Sequence, residues 1–142
     1  MTEKSFLRFF EVLIDVIINY LIDTISKIKN WSEVGRNLFY EEMETFKIIL
    51  TERLKEKNLK PNMDSIFNKL FKYINAWFYN EEKMMEYINE EKVEYKHVKS
   101  LVENGNSFKN KSINDKKKIL TKIEEMYYGI IGSLNERLIE IK

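Results

Sequence analysis

The chain has 142 residues, which is enough for one domain with a hydrophobic core. Its 24 basic and 23 acidic residues give a net charge of +1, which argues against a strongly basic nucleic-acid-binding protein. The absence of cysteine excludes disulfides, thiolate metal sites and a cysteine nucleophile. One proline and four glycines favour long helices over sheet. The composition therefore predicts an all-α chain, and we expect it in the cytoplasm.

The N-terminal segment has the widest apolar surface in the sequence. Placed on a helix, its polar residues recur at steps of three or four and form one stripe roughly 120° wide. These residues are Arg8, Glu11, Asp15, Asn19 and Asp23. Because the rest of that helix is apolar, it needs cover on most sides. We therefore expect a helix from about Ser5 to about Lys29 at the centre of a bundle.

The charges within this segment also bear on membrane insertion. A membrane span needs ~20 predominantly apolar residues with few charges. Arg8, Glu11 and Asp15 would each cost about 2.5 kcal/mol or more at the centre of a bilayer. Glu3 precedes the apolar run and no small-residue cleavage site follows it, which argues against a secretory signal. We predict no membrane span.

The second and third helices are separated by a proline. The second helix is predicted to begin with Asn30 or Ser32 as its N-cap. It should end before Pro61, because a residue that precedes proline is pushed out of the α region. The third helix should begin at Asn62 or Asp64.

The C-terminal half contains two further signals that interrupt helices. The run 80–82 resembles a cap with an acidic first turn, which predicts a kink or short break there, although a continuous helix is the alternative. Residues 104–107 form the clearest turn signal in the chain, and we expect the residues that follow, through about Asn114, to form a mobile loop. Asn114 or Asp115 should cap the last helix.

These elements predict one architecture and one alternative. The predicted fold is a single-domain bundle, residues 1–142, of four to five helices packed around a central, mostly buried N-terminal helix. A globin-like arrangement of shorter, more steeply crossing helices is the alternative.

One pair of residues has metal-binding spacing. Glu94 and His97 resemble, at that point alone, the E-x-x-H motif of four-helix di-iron proteins. A second such motif is missing, and His97 lies between Lys96 and Lys99, so a solvated surface histidine is the preferred interpretation. We predict no catalytic residue, no metal ligand and no cofactor, and we do not expect an enzyme.

The third helix carries more aromatic residues than one helix face can hold. Tyr73, Trp77 and Tyr79 are the candidate contacts for a protein partner, because exposed tyrosine and tryptophan are frequent at interfaces. The favoured alternative is that these residues are core aromatics with tyrosine hydroxyls at the rim.

A basic run lies in and after the expected loop. It consists of Lys109, Lys111, Lys116, Lys117 and Lys118. These lysines could bind phosphate in a salt-dependent and sequence-independent way. The alternative is a solubilising loop followed by a charged helix start. The run lacks arginine, and Phe108, the one neighbouring aromatic, offers little stacking capacity.

The sequence favours a small, non-enzymatic interaction or regulatory module that binds a protein partner. The apolar seam of the last helix continues to Ile141, which predicts self-association as a homodimer. One alternative is a nucleic-acid-binding accessory protein that uses Lys109–Lys118. Another is a small-ligand sensor with a globin-like helical arrangement and an internal pocket.

Overall fold

A computed structural model describes the backbone of residues 2–141 and the side chains of residues 2–128. Over this backbone the chain forms six α-helices and one 3₁₀ turn, with no strand, which confirms the all-α class. The helices are α1 (Glu3–Ser26), α2 (Glu33–Glu56), α3 (Met63–Ala76), α4 (Glu81–Glu90), α5 (Tyr95–Asn104) and α6 (Ile113–Ile141). The 3₁₀ turn is Asn106–Phe108. The chain divides into two compact units, Met1–Asn75 and Ala76–Lys142.

Hydroxyl and amide side chains fix the starts of several helices. Thr2 caps α1 by accepting a hydrogen bond from the Ser5 amide at 3.1 Å. Ser32 caps α2 by accepting from the Gly35 amide at 3.0 Å. Each cap satisfies one of the amides that a helix leaves unpaired at its N-terminus. Of the two predicted caps of α2, the structure uses Ser32.

A Schellman motif ends α2 at Glu56, so Pro61 is not what terminates the helix. Asn58 adopts a left-handed φ of 59°. The Leu59 amide then donates to the Leu54 carbonyl oxygen at 2.9 Å, and Leu54 and Leu59 are both buried. Asparagine tolerates this conformation better than most residues, and the buried leucine pair is the usual companion of the motif.

A buried arginine connects α2 to α3. Arg36 Nη1 donates to the Ile74 carbonyl oxygen at 3.3 Å, and Nη2 donates to Asn37 Oδ1 at 3.4 Å. The Ile74 carbonyl is in the last turn of α3, where a cation is favourable because the helix dipole is negative. Burial lowers the pKa of Arg36, and the nearby Glu33 opposes this shift.

The predicted break between the third and fourth helices is confirmed. α3 ends at Ala76, and α4 begins at Glu81 with Asn80 as its N-cap. The Asn80 side-chain oxygen accepts from the Lys83 amide at 2.8 Å. A second break at residues 91–94 separates α4 from α5.

Tyrosine side chains join α5 and its preceding segment to α6. The Tyr95 hydroxyl donates to Glu124 Oε1 at 2.8 Å, and the Tyr127 hydroxyl donates to the Val93 carbonyl oxygen. The Tyr95 and Tyr127 rings meet edge to face at 5.6 Å. Burial and, to a smaller extent, nearby Tyr128 together raise the pKa of Tyr127 to about 12. Burial also raises the pKa of Tyr95, as do the hydrogen bond and charge of Glu124.

The predicted turn after α5 is present and anchored, but Phe108, at the start of the expected mobile loop, is buried. Phe108 is only 1% exposed. The Asn106 amide donates to the Trp77 carbonyl oxygen at 2.9 Å, and Ser107 Oγ donates to the Phe78 carbonyl oxygen at 2.7 Å. A Cβ on Gly105 would overlap the Leu101 carbonyl oxygen, so any other residue here would force the backbone to move. The sequence pattern showed a turn but not these anchors.

The expectation that α1 is mostly buried is not met by the structure. Its buried hydrophobic residues, Ile14, Ile18, Ile22 and Ile25, recur at steps of three and four and line one side of the helix. Leu13 and Ile17, at the middle of the helix, are 44% and 36% exposed. An amphipathic pattern gives the extent of apolar surface but not the number of helices that cover it. In the first compact unit only α2 and α3 are available to do so.

Candidate protein-interaction surface

A continuous apolar surface follows α1 on the side away from its buried isoleucines. It consists of seven side chains that are 36–69% exposed, and we call it the α1 stripe. Its members are Phe6, Phe9, Val12, Leu13, Val16, Ile17 and Tyr20. At ~100° per residue they cluster around a direction ~180° from the buried row. The helix is therefore apolar on two opposite sides, of which the structure covers one.

The α1 stripe is long enough and wide enough to accept another helix. From Phe6 to Tyr20 it extends about 21 Å at 1.5 Å per residue. Its side chains expose roughly 600 Å² if each contributes its exposed fraction of a typical large apolar residue. The largest apolar patch on a typical monomer is about 300–600 Å² and is often functional. The α1 stripe is at the upper end of that range.

On the polar edge of α1 beside this stripe, two of the acidic side chains form ion pairs. Asp15 Oδ1 lies 2.7 Å from Lys69 Nζ on α3, and Asp23 Oδ2 lies 3.5 Å from Lys27 Nζ. Asn19 Nδ2 donates to Asp15 Oδ2 at 3.5 Å. Paired charges offer little net attraction to a partner. The apolar side chains therefore distinguish this face more than its charges do.

The outer face of α2 differs from the α1 stripe in being interrupted. Val34, Leu38 and Ile49 are 49–71% exposed there. Glutamates 41, 42 and 52 lie on the same side of the helix and are exposed. Exposed apolar side chains interspersed with charges are normal on a protein surface. The α2 face is thus a natural control surface for the α1 stripe.

The predicted basic run lies partly before α6 and partly in its first turns. Lys109, Lys111, Lys117 and Lys118 are exposed. Lys116 is half-buried, and its Nζ donates to the Glu103 carbonyl oxygen at 3.1 Å. Their binding to phosphate stays a prediction.

A model of one protein family covers most of this sequence. The family described as Syndetin, C-terminal, matches residues 2–124, a range that contains both the α1 stripe and the lysines. The chain belongs to the Syndetin C-terminal family. No curated protein and no solved structure matches it. Membership in the Syndetin C-terminal family supports a helical, protein-binding chain with partners in a protein complex. It gives no support for an enzymatic activity.

The aromatic residues predicted as partner contacts in this Syndetin C-terminal chain lie mostly in its core. Tyr73 is 3% exposed and Trp77 is 7% exposed, while Tyr79 is half-buried against Tyr87, with the ring centroids 5.8 Å apart. Burial raises the pKa of Tyr73, whose side chain is hydrogen-bonded to Ser26. These positions agree with the alternative of core aromatics. Partner binding by these three residues stays a prediction.

The α1 stripe was missed because its residues were assigned to the core. The signal was present in the sequence: the apolar residues occupy far more than the ≳100° of a helix that an ordinary core contact needs. A helix with this excess either lies inside a bundle or offers a second face to a partner. Sequence pattern alone does not distinguish these two outcomes.

Among the side chains that the structure describes in the Syndetin C-terminal chain, the predicted E-x-x-H pair has no further ligands to form a metal site. No cluster of three or more His, Asp or Glu side chains suited to a metal occurs over residues 2–128. His97 is 6% exposed on the inner face of α5, so its interpretation as a solvated surface residue is wrong. A surface cleft of about 320 Å³ lies between the start of α1 and the end of α2, with Phe6 and Leu59 among its lining residues. It is not the internal pocket between aromatic helices that a ligand sensor would need.

Two further expectations concern membranes and self-association. Within the part of the Syndetin C-terminal chain that the structure describes, no helix combines the length and hydropathy needed to cross a bilayer. The predicted homodimer seam continues along the second half of α6 to Ile141. Side chains 129–141 lie outside the described residues. The homodimer therefore stays a prediction.

Proposed function

We propose that this chain is a non-enzymatic helical subunit of a tethering complex in the cytoplasm, and that the α1 stripe packs against an amphipathic helix of another protein in that complex. Two observations support the proposal. The chain belongs to the Syndetin C-terminal family, and the α1 stripe leaves one side of α1 apolar and exposed from Phe6 to Tyr20. The observation that carries the proposal is the exposure of the α1 stripe.

The size of the stripe favours a partner protein over a small ligand. A standard protein–protein interface buries ≈ 800 Å² on each partner. The α1 stripe supplies roughly 600 Å² of apolar area, so a polar rim of ordinary width would complete such an interface. A small ligand would need a concave site, whereas the stripe is the convex outer surface of a helix.

The spacing of the stripe specifies the form of the partner. Phe6, Phe9, Leu13, Val16 and Tyr20 are separated by three or four residues, which is the anchor spacing of helix-mediated recognition. A complementary helix would insert its own apolar residues between them, as in knobs-into-holes packing. Phe6, Phe9 and Tyr20 are the expected hot spots, because aromatic anchors contribute most at such interfaces.

The test places charge on the α1 stripe without touching the core. Phe9 and Val16 are each 59% exposed, so the double variant Phe9→Glu, Val16→Glu should fold. A photo-crosslinking amino acid at Leu13 would identify the bound protein and the helix that contacts it. We expect the double variant to reduce capture of that protein by roughly 100-fold, because two charges would be buried without partners.

The matched control places the same charges on the outer face of α2. Leu38→Glu, Ile49→Glu changes two residues of similar exposure and should leave capture unchanged. Equal loss in both variants, or no loss in either, would overturn the proposal. A crosslink from Leu13 to a second copy of this chain, with a dimer mass in light scattering, would overturn the assignment of a different protein as partner.

A further inference from the structure

The segment that leads into α6 combines positive charge with an exposed aliphatic side chain. Residues 109–118 contain five lysines and one acidic residue, Asp115. Ile113, at the first position of α6, is 74% exposed. An isoleucine this open to water, surrounded in sequence by lysines, has no role in the core of either compact unit. Neither the lysines nor Ile113 belongs to the α1 stripe.

This segment is held in a defined conformation. Phe108 is buried immediately before the first lysine, and the Lys111 amide donates to the Phe108 carbonyl oxygen at 3.1 Å. Ser112 caps α6 by accepting from the Asp115 amide at 3.1 Å. Lys116 is fixed through its bond to the Glu103 carbonyl oxygen. The backbone that carries the remaining lysines is therefore held in place by these contacts.

Helix geometry puts charge and aliphatic surface on the same side. Ile113 and Lys117 are four residues apart, so they are neighbours along one side of α6. Asp115 is two residues from each of them and lies on a different side. The positive end of the helix dipole adds to the charge of the lysines at this terminus.

We propose that residues 109–118 dock on the anionic surface of a lipid membrane, with the lysines facing the lipid headgroups and Ile113 inserted between them. Lysine clusters are attracted to anionic leaflets, and an adjacent apolar side chain strengthens binding by entering the interface. Nucleic acid would use the same charges but would gain nothing from an exposed isoleucine. The segment also lacks arginine, and Phe108 is buried, so neither is available to stack on bases.

The experiment measures sedimentation of the full chain with phosphatidylcholine vesicles that either contain or lack phosphatidylserine. The test variant replaces Lys109, Lys111, Lys117 and Lys118 with glutamine and keeps Lys116 because of its bond to the chain. Each lysine near an anionic surface contributes roughly fivefold to binding, so this variant should lose more than about 100-fold. Binding of the wild-type chain should require phosphatidylserine and should weaken as salt increases.

The matched control removes the same amount of charge elsewhere. It replaces Lys4, Lys29, Lys57 and Lys60, which are all exposed, with glutamine. We expect this control to keep vesicle binding within about threefold of wild type, because only the general charge of the protein changes. Equal losses in the test variant and the control would overturn the proposal, as would an absence of binding at low salt.

A single substitution distinguishes lipid from nucleic acid. Ile113→Ser should reduce vesicle binding by about fivefold through the loss of apolar contact, and circular dichroism should show an unchanged helix content. Parallel titrations would use a duplex DNA and a single-stranded oligonucleotide of mixed sequence. Tighter binding to either nucleic acid than to the vesicles, with no effect of Ile113→Ser on both, would assign the segment to nucleic acid and overturn the membrane proposal.

Discussion

α1 and α5 use their apolar residues in opposite ways. α1 is 24 residues long, has the most continuous apolar sequence in the chain, and leaves the seven residues of the α1 stripe exposed. α5 is ten residues long and mostly polar, yet its inner face of His97, Val98, Leu101 and Val102 is buried. Burial in this chain therefore follows the neighbours of a helix, not its hydropathy. The apolar residues that lack such neighbours are the candidates for binding.

The turn after α5 and the outer side of α1 contribute differently to the stability of the fold. The short turn after α5 is stabilised by apolar contacts and hydrogen bonds, and the missing side chain of Gly105 allows the backbone to approach closely there. On the outer side of α1, the seven residues of the α1 stripe keep 36–69% of their surface exposed, so their apolar contacts contribute less to folding. Substitutions around α5 should therefore cost more stability than matched substitutions in the first compact unit, and three such pairs follow in order of expected size.

The largest difference is expected between two phenylalanines. Phe108→Ala should lower the free energy of unfolding by about 3–5 kcal/mol, because it opens a cavity at a buried site. Phe9→Ala should change it by less than about 0.5 kcal/mol, because the ring is 59% exposed. Urea unfolding followed by circular dichroism measures both. Similar losses from the two substitutions would show that α1 is covered in solution.

Two glycines provide the next contrast. Gly105→Ala should destabilise the chain by about 2–3 kcal/mol, since the new Cβ would overlap the Leu101 carbonyl oxygen and the backbone would have to move. Gly35→Ala, in the first turn of α2, should remain within about 0.5 kcal/mol. Its nearest neighbour is the Ser32 hydroxyl at 3.0 Å, a side-chain atom that can shift slightly. Thermal unfolding would compare the two variants, and a neutral Gly105→Ala would contradict the geometry of the turn.

The smallest difference concerns two tyrosines and has a pH dependence. Tyr127→Phe removes the hydrogen bond to the Val93 carbonyl oxygen and should cost about 1 kcal/mol. Tyr20→Phe, on the α1 stripe, should be close to neutral, because that side chain is mostly exposed.

The pH dependence follows from the raised pKa of Tyr127. In the unfolded chain a tyrosine releases its proton near its ordinary pKa of about 10. The folded chain holds this proton up to about pH 12. The contribution of Tyr127 to stability should therefore be complete below pH 10 and should fall between pH 10 and 12. A cost of Tyr127→Phe that does not shrink over this interval would contradict this assignment.

Local signals in the sequence were sufficient for the helical class and for several boundaries. Asn80 and Ser32 act as caps because their side chains bond amides within three residues, a relationship that depends on sequence distance alone. The end of α2 was placed correctly before Pro61, although the cause is the left-handed Asn58 and not the proline.

The features that sequence analysis missed depend on residues far apart in the chain. The burial of His97 and Phe108 is created by tertiary packing, and the turn at Asn106 is fixed by carbonyls almost thirty residues earlier. Which side of α1 is covered depends on α2 and α3, which its own periodicity does not describe. The candidate binding surface was therefore assigned to the core, although its residues were correctly recognised as apolar.

The buried Arg36 has a consequence for how α2 and α3 move against each other. If α3 slid along α2 by one helical turn, about 5.4 Å, the guanidinium would lose its carbonyl acceptor while still excluded from water. Apolar side chains alone would tolerate such a slip far better, since one methyl group can replace another. Arg36 therefore fixes the axial register of the two helices, and any rearrangement of this unit on binding should pivot around that point.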